Sequence, residues 1–379
     1  MNSKYKQSLK NSIQINTQQI FQDDFLSLKK TWMKIEKRAK PSFFLSWKWI
    51  GSWLNIISKN KTVILVTAQQ NNTIVGLGIF VEKLTTRHCI LKSKQWYLHR
   101  TGDEKEDQIW IENNDFLIQK KDKTLIKNVM WEHLVSKQNQ VDEFIVNVSK
   151  KSEFKELPSF SNYQCIKENR DIGYKVTLNK DLTTEQYLNS LSKNTRQQFR
   201  RSIKELESIG EIKFDVIQEK EQQLKVLEKT QFWHINKWKN TKTPSGFENH
   251  FFTTFHSLCI QEEHPNAKTY LTTLSLNKEI IGCLYLLQQQ NCFYFYLSNL
   301  KPIIDNKIKL GITLHILMIN WIIEKSSETA YYDFLAGDSR YKKSLSTSKD
   351  EYFKLTLQRS AIKFKIEKII NRIYKLFFK

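Results

Sequence analysis

A basic helix near the middle of the 379-residue sequence carries residue types that could bind phosphate. In the segment SLSKNTRQQFRRSIKELESIG, Lys193, Arg196, Arg200 and Lys204 recur at three- and four-residue spacing. On a helix this spacing places the positive charges in one stripe, and no acidic residue interrupts it. Such a stripe can bind a phosphate-rich ligand, and a solvated basic face is the alternative interpretation.

A second segment, DNKIKLGITLHILMINWIIEK, places Lys307, Lys309 and Gly311 directly before an apolar helix. The first N–H groups of a helix have no partner within the helix, and together with the helix dipole they favour a bound phosphate. The segment therefore predicts an anion site at a helix start, with an ordinary loop as the other interpretation.

The third segment, YYDFLAGDSRYKKSLS, combines an acid with a Tyr-Lys pair. Asp333 ends a predicted strand, Gly337 permits a tight turn, and Tyr341 and Lys342 follow. An aspartate that faces such a pair could orient an amine, help to bind a phosphate, or fix the loop structurally.

Patterns of several common enzyme classes are absent. There is no GxxxxGK[ST], GxGxxG, HExxH or GxSxG motif. The five cysteines are widely spaced and the histidines are scattered, which suits neither a disulfide framework nor a metal site. We therefore expect no metal, and hydrolases with a nucleophile elbow, dinucleotide oxidoreductases and common nucleotide hydrolases are disfavoured.

Composition narrows the classes of partner. The 60 Lys and Arg residues against 39 Asp and Glu give a formal net charge of +21. This excess favours nucleic acid, a phosphorylated cofactor or an acidic membrane surface, although biased base composition of the gene explains it equally well. A hydrophobic fraction of 40% supports folded domains. The N-terminus lacks an apolar signal segment and no apolar run has membrane-spanning length, which predicts a cytoplasmic protein.

Hydrophobic periodicity predicts the elements that position these segments. In the first half an amphipathic helix with an aromatic face precedes a hairpin of two strands, TVILVTAQ and TIVGLGIFVEKL, and then a helix and a strand. The apolar face of the first of these helices consists of Trp47, Ile50, Trp53, Leu54 and Ile57. The second half repeats this order: a long helix over residues 184–209, further helices, three strands over 267–300, a helix and a strand.

The shared order of elements predicts an α/β fold of mixed sheets built from two tandem units. We assign residues 1–170 to an N-terminal unit, 171–360 to a C-terminal unit, and 361–379 to a basic amphipathic helix. No self-similarity strong enough to define a sequence repeat accompanies the shared order.

Taken together, the three segments resemble the GNAT-type acyltransferases of the BioF2-like or CelD-like group, which are related to the Fem-type aminoacyl transferases. The resemblance rests on residues 192–210, on Gly311, and on the strand and loop at 333–342. FFLSWKWIGSWL is similar to the opening helix of the group. A Pro-Gly pair is typical at the second segment, where this sequence has Leu310-Gly311.

The resemblance implies two tandem GNAT-like domains, each a mixed β-sheet flanked by helices, the first of them degenerate. It implies transfer of an acyl group, usually from acyl-CoA such as acetyl-CoA, to an amine of a small-molecule, sugar or cell-envelope precursor. Several members of the group take part in polysaccharide or envelope assembly. The amine attacks directly, so no covalent enzyme intermediate is required.

The resemblance also implies a placement of the donor. The pyrophosphate of acyl-CoA would rest near Gly311, with Lys307 and Lys309 supplying charge and the basic helix contributing Arg196 and Arg200.

The remaining candidate residues are assigned to the reacting groups and the acceptor. Asp333 would orient the amine or accept its proton, Tyr341 would donate a proton to the leaving thiolate, and Lys342 would bind phosphate or stabilise the oxyanion. The acceptor cleft is expected beside Gly337. Trp233 and Trp238 either line that cleft or belong to the core.

Two alternatives to this function stay open. A Fem-like enzyme would use aminoacyl-tRNA, and the basic helix would then bind RNA phosphates. A non-catalytic membrane-surface or scaffold protein is the other alternative, because the tail AIKFKIEKIINRIYKLFFK is amphipathic, with six basic residues and one acid. Such a helix suits an anionic membrane surface, at the inner face of the membrane, or a docked position on the domain. Its apolar face consists of Ile362, Ile366, Ile369, Ile370, Ile373, Leu376 and Phe377.

Overall fold

The computed structural model describes residues 9–377 except 88–90, 139 and 304, and only the backbone of residues 169, 170 and 371–377. The strands are β1 (Ile13–Ile20), β2 (Thr62–Gln70), β3 (Thr73–Arg87), β4 (Leu91–Leu98), β5 (Leu117–Ile118), β6 (Glu143–Lys150), β7 (Tyr163–Leu178), β8 (Ile212–Ile217), β9 (Ala267–Leu276), β10 (Glu279–Gln289), β11 (Cys292–Leu300), β12 (Ala330–Ala336) and β13 (Ser348–Arg359). The helices are α1 (Phe25–Ala39), α2 (Trp47–Ile56), α3 (Lys123–Lys137), α4 (Thr184–Ser190), α5 (Lys193–Ile209), α6 (Lys220–Trp238), α7 (His250–Gln261), α8 (Leu310–Lys325), α9 (Arg340–Leu345) and α10 (Ile362–Phe377).

The described strands form one mixed 13-stranded sheet in the order β1-β2-β3-β4-β6-β13-β7-β12-β11-β10-β9-β8, with β5 beside β3. In each half, a run of antiparallel strands ends in one parallel pair, β4 with β6 or β11 with β12. A helix lies between the members of each pair along the chain, α3 in the first half and α8 in the second. Parallel neighbours need such a crossover. The predicted α/β class with mixed sheets in tandem units is confirmed.

Two strands join the halves. β7 pairs with β13 along residues 163–175 and with β12 along residues 173–178, so one continuous strand spans the proposed boundary at residue 170. β13 in turn lies between β6 and β7, although it follows the C-terminal unit in sequence. The division at 170/171 stays a prediction from the order of elements.

Core packing explains the aromatic content of α2. Residues from Trp47 to Leu54 are all buried, so this helix is not amphipathic as its spacing suggested. Its Trp49 ring lies 4.6 Å from Phe255 of α7 and 5.9 Å from Tyr296 of β11. The helix is enclosed because it packs between elements of both halves, in a core cluster that the two halves share. Separate clusters cover the α5 and α8 side of the second half and the α3 side of the first.

The predicted helix over 184–209 is two helices, α4 and α5. The break falls at Ser192, whose hydroxyl accepts the Thr195 N–H at 3.1 Å and so begins a new helix. A serine in extended conformation is a preferred N-cap, and its capping bond outweighs the continuous apolar spacing on either side. The break sets the direction of α5, which packs against α8.

Among the helices of the described residues, none has the length and apolar character required to cross a membrane. The described side chains also contain no group of three or more His, Cys, Asp or Glu that could hold a metal ion.

Candidate active site

A slot opens where β11 and β12 part. Their parallel pairing extends over three residues, from the pair of Cys292 with Tyr331 to the pair of Tyr294 with Asp333. Beyond it, β11 continues along β10 and β12 continues along β7. The facing edges therefore have no ladder between them from residue 295 on β11 and residue 334 on β12. Unpaired backbone N–H groups of a strand can bind a ligand that enters such a slot.

Two adjoining cavities occupy this region. The slot cavity, about 470 Å³, is bounded by residues 295–298 of β11, by residues 336–339 at and beyond the end of β12, and by the end of α6. The helix-end cavity, about 360 Å³, is bounded by the first turn of α8 and the end of β11. Lys237, Ser298 and Tyr341 line both cavities. A ligand long enough to fill both would thus extend from the slot to the start of α8.

The start of α8 offers free backbone donors. The helix has no side-chain cap of its own, and the Lys309 N–H is instead bound by the Ser202 hydroxyl of α5 at 2.8 Å. The next amides, those of Leu310, Gly311 and Ile312, belong to the first turn, and these three residues line the helix-end cavity. A Cβ atom at Gly311 would lie 3.4 Å from Leu300, an ordinary contact. Protein packing does not require a glycine there, and its small size leaves the amides accessible to an anion.

The structure separates the predicted basic residues. Lys309 lines the helix-end cavity. Lys307 is largely exposed, with its amine 3.7 Å from a carboxylate oxygen of Glu205. Arg196 turns back to donate to the carbonyls of Asn189, at 2.9 Å, and of Leu191, and so it binds the end of α4.

Arg200 is exposed on α5 and, like Arg196, lines neither cavity. Lys193, Arg201 and Lys204 are exposed on α5 as well, so the basic residues other than Arg196 form an exposed helix surface beside the site.

Asp333 holds the backbone at the point where β12 departs from β11. Its Oδ1 accepts the Leu335 N–H at 2.8 Å, and its Oδ2 lies 3.6 Å from the Lys150 amine. Leu335 has φ of +61°, and the pairing of β12 with β7 shifts register between Asp333 and Ala336. The carboxylate thus stabilises a bulge that few residues adopt without help. Asp333 is buried and lines neither cavity.

Glu112 is a site residue that the sequence reasoning missed. Its Oε2 accepts the Ala336 N–H at 2.7 Å, and the Lys342 amine donates to the Ala336 carbonyl at 2.8 Å. Both polar groups of Ala336, at the rim of the slot, are therefore bound by titratable side chains. In sequence, Glu112 is one acid in the apolar context IWIENN, and its role depends on contact with a residue 224 positions away. No local signal distinguishes it.

The pKa values of the Glu112 carboxyl and the Lys342 amine are both shifted in the direction that favours the neutral form of the group. Burial raises the pKa of Glu112 to about 8, with the nearby carboxylates of Asp333 and Asp171 adding to the rise and Lys342 opposing it. Burial likewise lowers the pKa of Lys342. Because Lys342 also lines the slot cavity, its amine lies where a bound ligand could exchange a proton with it.

Glu112 should make the stability of the protein depend on pH. Its carboxyl keeps its proton in the folded state up to about pH 8 but loses it near 4.5 when unfolded. The unfolded state therefore binds fewer protons in this window, and the free energy of unfolding should fall as pH rises through it. In Glu112→Gln, whose amide oxygen can still accept the Ala336 N–H, this part of the decline should vanish. Urea unfolding across the window measures it, and equal pH slopes for both proteins would contradict the assignment.

Tyr341 joins the two cavities. Its ring stacks on His315 of α8, with centroids 5.3 Å apart and an interplanar angle of 15°. Burial raises the pKa of Tyr341 to about 12, so its hydroxyl is protonated at neutral pH. Burial lowers the pKa of His315 to about 3, and its Nδ1 lies 2.7 Å from the Tyr332 hydroxyl. The stack is thus neutral and fixed, with a phenol as the proton donor.

The predicted acceptor residues differ in placement. Trp238 lines the slot cavity and is 38% exposed. Trp233 is buried, packs on Phe232 at 5.1 Å between ring centroids, and does not line the cavity. Gly337 lines the cavity with φ of +122°, and a Cβ atom there would lie 2.9 Å from the Lys342 amine. Only a glycine fits this turn without displacing that lysine.

The corresponding slot of the first half is filled by the chain itself. β4 and β6 part beyond the pair of Tyr97 with Ile145. There the Asn114 N–H donates to the Val148 carbonyl at 3.2 Å, while its side-chain amide donates to the Leu98 carbonyl at 2.8 Å. Asn114 thus bridges the two strands.

Near the start of α3, a lysine already has carboxylate partners. The Lys127 amine lies 2.6 Å from Asp115 and 3.0 Å from Glu153, so these two carboxylates neutralise the charge of Lys127. The open slot of the second half is therefore the better candidate for an active site.

The match to a protein-family model falls in the second half of the chain. Residues 193–343 match the family model of the acetyltransferase (GNAT) domain. This stretch extends from α5 to α9 and includes β11 and β12, which border the slot. The second half thus carries a GNAT-type acetyltransferase domain. A search of the curated proteins finds no match.

Solved structures resemble nearly the whole chain. FemX aligns with a TM-score of 0.54 at 11% identity, covering 96% of this chain and 100% of FemX. A conserved protein of unknown function from Bacteroides thetaiotaomicron aligns with a TM-score of 0.50 at 12% identity, covering 91% of this chain and 100% of the other. The C-terminal domain of a putative lysylphosphatidylglycerol synthetase from Agrobacterium fabrum aligns with a TM-score of 0.50 at 10% identity, covering 92% and 96%. At identities this low, the structural likeness shows a common fold alone.

Proposed function

We propose that the protein is an N-acyltransferase of the BioF2-like or CelD-like group that moves an acyl group, such as acetyl, from acyl-CoA to an amine. The observation that carries this proposal is the open slot between β11 and β12, which leads directly to the uncapped first turn of α8. The GNAT domain match covers these elements. A long, thin donor with a thioester at one end and a diphosphate at the other fits this arrangement.

The donor's position follows from charge and shape. The diphosphate would accept hydrogen bonds from the backbone N–H groups of Leu310, Gly311 and Ile312, and Lys309 would add a positive charge. The pantetheine chain would lie along the free edge of β11, where a backbone N–H can also stabilise the oxyanion of the tetrahedral intermediate. The thioester would then reach the slot cavity beside Tyr341.

The reaction then requires a proton acceptor and a donor. The neutral amine attacks the thioester carbon, the C–N bond forms and the C–S bond breaks. Tyr341 donates a hydrogen bond or proton to the departing sulfur. Lys342, whose pKa is lowered by burial, is placed to receive the proton lost by the amine. Asp333 as the base stays a prediction, and its contacts favour a role in holding the bulge.

The acceptor is proposed to be an amine of a small molecule, a sugar or a cell-envelope precursor, in the cytoplasm at the inner face of the membrane. Support comes from the half-exposed Trp238 in the slot cavity, since an aromatic face suits a ring-shaped acceptor, and from the fold shared with FemX.

Thermal unfolding in the presence of candidate donors tests the proposal. CoA or acetyl-CoA at 100 times its dissociation constant should stabilise the folded state by about 2.7 kcal/mol, whereas adenosine, which lacks the diphosphate, should have little effect. Stabilisation by tRNA but not by CoA, lost steeply with added salt, would overturn the proposal in favour of an aminoacyl-tRNA donor on the exposed face of α5.

A further inference from the structure

The C-terminal helix α10 presents an apolar stripe that no other part of the described chain covers. The exposed fractions of its isoleucines are 75% for Ile362, 50% for Ile366, 55% for Ile369 and 44% for Ile370. These positions are four, three and one residues apart, so they form one face of the helix. Ile373, Leu376 and Phe377, which the sequence adds to this face, lie outside the described side chains.

The opposite face of α10 is bound to the body of the protein. Phe364 is 3% exposed, and the amine of Lys363 lies 2.6 Å from Asp142. Glu367 pairs with Arg87 at 3.1 Å, and Arg87 also lies over the Phe364 ring. The helix therefore cannot roll to bury its isoleucines without breaking ion pairs and exposing Phe364. The outward direction of the stripe is a property of the docked helix.

The exposed side of α10 is cationic as well as apolar. Lys365 and Lys368 are exposed beside the stripe, and the Lys368 amine also donates to the side-chain oxygen of Gln164 at 2.7 Å. Glu367, the one acid in residues 361–379, faces the body and pairs with Arg87. The sequence beyond the described side chains adds further basic residues, Arg372, Lys375 and Lys379.

We propose that α10 docks the protein on an anionic lipid bilayer. The isoleucine stripe would enter the boundary between headgroups and acyl chains, while Lys365 and Lys368 would contact lipid phosphates. Charge complementarity favours anionic lipid over a second copy of the chain as the partner of the isoleucine stripe. A second copy of the chain placed on the stripe would bring the lysines of two helices together, whereas anionic lipid provides opposite charge. The inference goes beyond acyl transfer and does not depend on it.

Co-sedimentation of the full chain with vesicles tests the proposal. The protein should bind phosphatidylcholine vesicles containing roughly one third phosphatidylglycerol, and binding should weaken with added salt and in pure phosphatidylcholine. Ile366→Ser combined with Ile369→Ser should weaken binding by at least about tenfold. Both side chains are exposed, so the melting temperature should stay at the wild-type value.

A matched control separates the stripe from general surface apolarity. Leu26 and Ile209 are 69% and 57% exposed and lie on other helices, so Leu26→Ser combined with Ile209→Ser should keep wild-type vesicle binding. Equal binding by wild type and the Ile366/Ile369 variant would overturn the proposal. So would a wild-type dimer in solution that this variant converts to a monomer, because a second copy would then be the occupant.

Discussion

Replacement of Gly311 by glutamate should weaken CoA binding by at least about tenfold, which corresponds to about 1.4 kcal/mol, without loss of fold. The carboxylate would stand among the free amides at the start of α8, where the structure leaves room for an anion. It would repel the diphosphate and compete for the same N–H donors. A negative charge at a helix start typically stabilises the helix by about 0.3–1 kcal/mol. The free energy of unfolding should therefore stay constant or rise as affinity falls.

Gly311→Ala is the matched control for this prediction. Its Cβ would make an ordinary contact with Leu300, so both the fold and CoA binding should be close to those of the wild type. Calorimetric titration with CoA gives the affinities, and urea unfolding gives the stabilities. If Gly311→Glu bound CoA as tightly as Gly311→Ala, the diphosphate could not rest on this helix start.

Replacement of Tyr341 by phenylalanine should lower kcat by about 100-fold, the lower end of the range for a positioned general acid. The change removes the hydroxyl and keeps the ring, so the stack on His315 and the shape of both cavities should persist. KM for acyl-CoA should change little, because the phenol acts on the sulfur only as the C–S bond breaks.

The release of CoA thiol from acetyl-CoA, with a simple amine or water as the acceptor, measures the effect of Tyr341→Phe. Tyr331→Phe is the matched control, since Tyr331 lines neither cavity and packs against Lys175. Its kcat should equal that of the wild type. A Tyr341→Phe enzyme that retained its kcat within about twofold would remove Tyr341 from the chemical step.

Local sequence signals predicted much of the second half. The strands predicted over residues 267–300 are present, and the first two are joined at Asn277 and Lys278 by two residues with positive φ, as a two-residue hairpin requires. The apolar helix at Gly311 begins where its spacing indicated. The Tyr-Lys pair at 341–342 also lies at the rim of the slot. In each case the residues that determine the element lie within a few positions of it.

Features that depend on distant partners were missed. No strand is predicted at β1, because only Ile13 and Ile20 of this edge strand are buried and its pairing with β2 decides the structure. The start of β7 is likewise not predicted as a strand, because it is held by β13 from almost 200 residues away. Glu112 and Asn114 gain their roles through contacts with Ala336 and Val148.

The basic stripe shows how spacing alone can mislead about a site. Lys193, Arg196, Arg200 and Lys204 do lie on one helix, as the spacing indicated. The guanidinium of Arg196 nevertheless binds the carbonyls that end α4, a partner created by the break at Ser192. The helix contributes to the site through the small Ser202, whose hydroxyl accepts the Lys309 N–H just before the first turn of α8.

A crystal structure of the protein with CoA would show the position of the donor. We expect the diphosphate on the amides of Leu310, Gly311 and Ile312, the pantetheine chain between β11 and β12, and the thiol within hydrogen-bonding distance of Tyr341. CoA bound elsewhere, such as at the start of α3 in the first half, or a slot that stays empty at saturating CoA, would contradict this placement.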